Sequence, residues 1–225
     1  MSIQFGRDLE ALHADLRQMG QGAVSFVRVA MAALEEPSGA AGIVLEDLDE
    51  ELDRLDVQLE EQCLRLLALH QPVACDLRHV AAILKINGEL ERIADLSLAV
   101  TERAAGWGQA ETVIETPPKL LEMARQTLVM VERSVDAYQA LDAEAAWEIR
   151  DSDDIVDALH REVIQELTTH LQHSPATAGQ TLMMFSACRD IERIADHATN
   201  IAEDIIYMVH GTIIRHQKTP ARVSA

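Results

Sequence analysis

One pentapeptide occurs twice in this chain: Glu91-Arg92-Ile93-Ala94-Asp95 and Glu192-Arg193-Ile194-Ala195-Asp196, 101 positions apart. Five identical residues in a row point to an internal duplication, so whatever the first half folds into, the second must fold into as well. In each copy the two carboxylates stand four residues apart, which on a helix sets them on one face, one turn from each other.

The surrounding periodicity is helical throughout. Leu9, Leu12, Leu16, Met19, Ala23, Phe26 and Ala30 alternate spacings of three and four and predict a helix over about 7–36. Gly20 and Gly22 weaken it locally and suit close packing, and Glu36-Pro37-Ser38-Gly39 stops it. Leu45, Leu48, Leu52, Leu55, Leu59, Cys63 and Leu66 predict a second helix ending near Leu69. A third starts just after Pro72, a residue suited to a first helical turn, and runs through Val80, Ile83, Leu90 and Ala94 to about Arg103. Ala105-Gly106-Trp107-Gly108, a polar stretch and Pro117-Pro118 read as a domain boundary. A fourth helix spans Leu120 to Leu141, a fifth opens on Asp142 as its cap, and a sixth follows His173-Ser174-Pro175 and carries Leu182 through Met208. The expected fold is all-α: two pseudo-symmetric three-helix bundles, residues 1–107 and 117–215, with a disordered tail at 216–225.

The acids recur in register. Asp49 and Asp53 on the second helix match Asp153 and Asp157 on the fifth, 104 positions apart, as Glu91 and Asp95 on the third match Glu192 and Asp196 on the sixth. With the helices of a bundle side by side, two acidic pairs meet across a groove in each half. Like charges at i and i+4 repel by a few tenths of a kcal/mol, and a second pair adds to this unless a cation lies between them. Carboxylate oxygens suit magnesium, calcium, manganese or bridged iron. A single such pair is ordinarily a solvated helix face, with Arg92 and Arg193 neutralising it; the repetition is what favours metal. Glu102 and Glu203 extend the stripes, with Asn200 nearby. Three acid-x-x-His pairs, Glu10/His13, Asp76/His79 and Asp157/His160, lack matching positions in the two halves and read as chance spacing. Asp76-Leu77-Arg78 reads as a helix start.

The remaining composition narrows the function. A formal charge of −19 repels nucleic acid and anionic lipid. Only 3% of residues are aromatic, which favours helices over strands. Three cysteines without a Cys-x-x-Cys argue against a disulfide framework or zinc-thiolate site, and Cys63 falls on an apolar stripe. There is no apolar leader or run of about 18 apolar residues, so a cytoplasmic protein without membrane insertion is expected. Gly-rich phosphate loops, Gly-x-Ser-x-Gly and His-Glu-x-x-His are missing, and the expectation is a non-enzyme.

Gln71-Pro72-Val73-Ala74-Cys75-Asp76-Leu77-Arg78, the two Glu-Arg-Ile-Ala-Asp segments and Met19-Gly20 together resemble the PhoU family over about residues 5–210. The family usually has Gly where Ala94 and Ala195 stand. The resemblance implies two three-helix bundles and multinuclear metal sites at the acidic pairs, with iron (Fe), zinc (Zn), magnesium (Mg) or manganese (Mn) as candidates. It further implies a homodimeric negative regulator of phosphate uptake and phosphate-starvation signalling. Such a protein couples the phosphate transporter ATPase (PstB-like) to the phosphate sensor histidine kinase (PhoR-like), and is peripheral to the inner membrane through these partners. The second copy has His197 and Asn200 where the first has Leu96 and Ala99, so the C-terminal site is expected to be the better one. Two other readings stand beside this: a ferritin-like carboxylate-bridged metalloenzyme, and a plain helical scaffold whose acids bind nothing.

Overall fold

The computed structural model describes residues 3–37, 40–109 and 114–215, all helix and connections. The helices are α1 (Ile3–Glu35), α2 (Ala40–His70), α3 (Ala74–Gly108), α4 (Pro118–Ala140), α5 (Ala143–His173) and α6 (Ala178–His210), with a 3-10 turn at Pro175–Thr177 before α6. Helices α1–α3 form one bundle and α4–α6 the other. The bundles join along two seams, α3 against α6 (the most extensive contact in the molecule) and α1 against α4, which leaves α2 and α5 outermost.

The expected seam of α1 is buried from Leu12 to Ala30, but so are Gly20, Val24, Val27 and Leu34. The apolar stripe is wider than a two-helix seam because α1 packs on α2, α3 and α4 at once. Gly20 and Gly22 permit this: a Cβ on Gly20 would lie 3.0 Å from Val135 Cγ1 on α4, and one on Gly22 2.3 Å from Leu52 Cδ1 on α2.

Two expectations are corrected. Helix α3 does not stop at Arg103 but continues to Gly108, because Trp107 is fully buried in the core and anchors the last turn. The connection between the halves is therefore only 109–117. Pro72 is not in the first turn of α3 either. Val73 is the extended N-cap, and the turn uses left-handed backbone at Gln71 (φ 44°) and Ala74 (φ 49°), which costs each of these non-glycine residues about 1 kcal/mol or more. The Asp142 cap is as expected: its Oδ1 accepts from the Ala145 amide at 3.0 Å. The start of α1, expected near residue 7, lies earlier, at Ile3. The expected tail, 216–225, and Ser38-Gly39 of the first stop lie outside the described residues.

Candidate metal centres on the outer helix pairs

In both copies of the pentapeptide the Ile and Ala are buried, the Arg is exposed, and the Glu lies half-buried at the edge of the apolar stripe. The acids thus sit where α3 meets α2 and where α6 meets α5, on the outer flanks, whereas a ferritin-like arrangement would gather them within one four-helix core. The interior itself is a single apolar cluster running through both halves.

In the first half, Asp49 is raised above the usual carboxylate range, chiefly by burial and then by the charges of Asp53 and Asp95 across the α2–α3 groove. Glu91 is raised in the same way by burial and then Asp95. Arg92 offsets part of this, with Nε 3.2 Å from Glu91 and a terminal nitrogen 3.3 Å from Asp95. In the second half the crowding is tighter. Burial, Asp196 and Asp157 push Asp153 up to about 6. Asp196 is raised by partial desolvation, then by Glu192 and Asp157. All eight expected acids therefore gather as two sets, {Asp49, Asp53, Glu91, Asp95} and {Asp153, Asp157, Glu192, Asp196}. Among the described residues no three side chains of His, Cys, Asp or Glu stand close enough to enclose one ion. The carboxylates are near enough to raise one another's proton affinity.

Two residues not singled out from the sequence extend the first set. Asp56, one turn beyond Asp53, is raised by burial and then by Glu60 and in turn raises Glu91. Asn87, one turn before Glu91 and only 2% exposed, donates from Nδ2 to Asp56 Oδ1 at 2.6 Å and to the Asp56 carbonyl at 3.1 Å. Its own carbonyl Oδ1 is buried with no partner. A carbonyl oxygen left unpaired beside a row of carboxylates suits a hard cation. Continuing each acid stripe one helical turn would have found both.

Other expectations change. His197 and Asn200 do not join the C-terminal acids; both reach across the α3–α6 seam to Glu89. His197 Nδ1 donates to Glu89 Oε2 at 2.6 Å and Asn200 Nδ2 to the same oxygen at 3.1 Å. Glu203 pairs with Arg150 at 3.4 Å. Along the same seam Lys85 reaches the buried Asp204 at 2.8 Å, and Arg103 pairs with Asp190. These pairs set α3 and α6 antiparallel with the two pentapeptides level with each other. Glu89 and Asp190 are themselves repeat equivalents, 101 positions apart. Of the acid-x-x-His pairs, His13 instead meets the Tyr138 hydroxyl at 2.6 Å and His79 at 3.5 Å. Asp76 lies in the first turn of α3, while the Arg78 guanidinium lies over Gly211 at the C-terminal end of α6, where a cation is favourable.

The PhoU domain family matches residues 16–104 and 120–205, one match per half. The phosphate-specific transport system accessory protein PhoU homolog of Pseudomonas putida is 33% identical over 219 residues, covering 96% of this chain and 84% of that protein. Its counterpart in Deinococcus radiodurans is 36% identical over 214 residues, covering 90% and 98%. The crystal structure of PhoU from Pseudomonas aeruginosa superposes with a TM-score of 0.87 at 32% identity, over 92% of this chain and all of that one.

Proposed function

The chain belongs to the PhoU domain family, and from that premise we propose that it is an accessory protein of phosphate-specific transport that acts by binding metal and partner proteins and not by catalysis. In this reading it lowers phosphate uptake and phosphate-starvation signalling when phosphate is ample. It does so at the cytoplasmic face of the membrane by contacting the transporter ATPase and the sensor kinase, as a homodimer. No described helix is long and apolar enough to cross a membrane.

The observation that carries the reading is the pair of equivalent acid sets at α2–α3 and α5–α6. Their carboxylates raise one another's proton affinity, and this repulsion is what a bound divalent cation would relieve. The residues fit such an ion by donor type, eight carboxylates plus the unpaired Asn87 carbonyl. The cations in keeping with the donors are magnesium or manganese, with iron or zinc as the alternatives.

The test is affinity capture of the full chain from its native host grown in high and in low phosphate, with metal measured on the same sample, beside a strain lacking the gene. Recovery of the transporter ATPase or kinase, metal at the acid sets and derepressed phosphate uptake in the deletion strain are expected. Phosphate regulation unchanged by the deletion overturns the regulatory reading, and a metal-free sample overturns the metal reading.

A further inference from the structure

The two ends of the α3–α6 seam are built differently. At the 101-position offset that relates these helices, Glu89 corresponds to Asp190 and Arg103 to Asp204. Exchanging the halves therefore turns the Arg103–Asp190 ion pair into two acids, Asp204 and Glu89, and Glu89 is near enough to raise the Asp204 carboxyl. Asp204 is only 2% exposed, and a buried carboxylate beside another needs cations around it. Lys85 of α3 supplies one, with Nζ 2.8 Å from Asp204 Oδ1 and 5.3 Å from the centre of the Tyr207 ring. His197 and Asn200 serve Glu89. At the other end of the seam the arginine belongs to α3 itself; at this end it comes from outside the six helices.

That arginine is Arg215. Helix α6 ends at His210, and Gly211 takes the left-handed backbone (φ 74°) that turns the chain out of the helix. The non-helical residues that follow double back along α6. Arg215, 11 positions after Asp204, stands beside it again, with a terminal nitrogen 3.4 Å from each carboxylate oxygen, and its charge also lowers Glu89. Ile214, next to it, is 3% exposed and joins the apolar core. A short segment thus fills an apolar slot with an aliphatic side chain and sets a guanidinium against two carboxylates. Its hold is loose. The Lys85 contact is short, whereas the Arg215 contacts are long and its side chain is 40% exposed, and ion pairs of that kind hold weakly.

We propose that the α3–α6 face at Asp204 and Glu89 is a docking site for a partner-protein segment carrying an aliphatic residue followed by arginine, and that Ile214-Arg215 occupies it in cis until such a segment displaces it. The assignment rests on the partner-binding reading above and adds to it which face is used and what chemistry the partner presents. A chain with a formal charge of −19 draws a basic segment towards it, and the slot under Ile214 adds a demand that a cation alone does not meet. Cis occupancy makes the site conditional. A short tether holds the chain's own segment at an effective concentration on the order of millimolar, so a competing segment succeeds only when it too is held nearby, as in a complex already formed through another contact.

The test uses the isotope-labelled full chain and a synthetic peptide copying residues 211–216, titrated by NMR and read at the backbone amides of Lys85 and Asp204. In the double variant Ile214→Ser/Arg215→Ser the cis occupant is disabled, and the peptide should bind at least about tenfold more tightly than to the wild-type chain, where it competes with the tethered segment. Asp204→Asn added to the double variant should abolish that gain. Two altered peptides, one with the isoleucine at 214 replaced by serine and one with the arginine at 215 replaced by glutamine, should each fail to bind the same double variant. These peptides probe one folded protein, so their outcome does not depend on how any further variant folds, and circular dichroism establishes that the double variant is helical. Equal binding to wild type and double variant, no binding to either, or equal binding of the altered peptides overturns the proposal. None of these measurements involves phosphate regulation, so the proposal can fail while the reading above stands. If deleting the gene leaves phosphate regulation unchanged although the peptide binds as expected, that reading fails and the docking site remains.

Discussion

His197 of α6 donates from Nδ1 to Glu89 of α3 at 2.6 Å, across the seam that joins the two halves. Each residue adjoins an acid set: Asp196 precedes His197, and Glu91 lies two positions beyond Glu89. This bond, with its companion from Asn200, is one of the polar links between the helices that carry the two candidate centres, beside Lys85–Asp204 and Arg103–Asp190. Burial alone would raise Glu89, but the hydrogen bonds from His197 and Asn200 outweigh it and hold the carboxyl below its ordinary range.

Glu89→Gln keeps the shape and removes the charge. The depressed folded-state value means that Glu89 stabilises the fold above its unfolded value near 4.5, and that this contribution is lost as pH falls through the folded value. Denaturant melts of the two proteins should therefore differ most near neutral pH, by about 1–3 kcal/mol, and converge in strong acid. A gap that stays constant with pH would show that the carboxylate charge is not the stabilising element.

His13 gives acid sensitivity of the same sign over a higher pH interval. Burial, then the charges of His79 and Arg17, lower it to about 4, so the folded chain holds it neutral against the Tyr138 hydroxyl. The unfolded chain protonates it near 6.5. Stability from this site is thus complete above 6.5 and declines as pH drops from 6.5 towards 4. A His13→Asn variant should be less stable than wild type at pH 7 yet lose less stability over that interval, as read from urea midpoints at each pH.

The helices were legible in the sequence because a buried stripe with a period near 3.6 is local information. Leu12 to Ala30 and Ile191 to Ile205 were placed correctly on inward faces. The C-terminal end of α3 was not, since Gly106 and Gly108 on either side of Trp107 look like a breaker until it is known that the indole has a cavity to fill. The eight acids were legible because the repeat exposed them. Asp56 and Asn87 lay outside the repeated letters, and His197 was misjudged because a helical wheel tells which face a residue occupies and not which helix lies opposite. The meeting of His13 with Tyr138, 125 positions apart, had no local signal at all.

Trp107 and Gly108 provide a test of that corrected helix end. A Cβ on Gly108 would lie 2.1 Å from the Pro37 carbonyl oxygen, a backbone atom that cannot swing aside as a side chain can. Gly108→Ala should therefore lower the melting temperature, although alanine is the better helix former by about 1 kcal/mol. Trp107→Ala, which empties a fully buried site, should cost about 3–5 kcal/mol. Were 105–108 an exposed linker, both changes would fall within about 0.5 kcal/mol of wild type.

Asp153 distinguishes the proposed metal reading from a solvated acidic face. Its carboxyl is pushed up to about 6 by burial and by Asp196 and Asp157, so at pH 7 the charged form is disfavoured in the folded chain relative to the unfolded one. The unfavourable contribution is present above about 6 and is relieved as pH falls from there towards 3.8. In chelator at pH 7, Asp153→Asn should accordingly raise the melting temperature, by about 2–4 °C for each kcal/mol recovered in a chain of this size. With saturating zinc or manganese the order should invert. The wild-type chain then gains stability as RT ln(1 + [L]/Kd), while the variant, lacking one carboxylate of the second set, gains less. A variant that is more stable with and without metal would mean that Asp153 is simply a crowded acid at the α5–α6 edge.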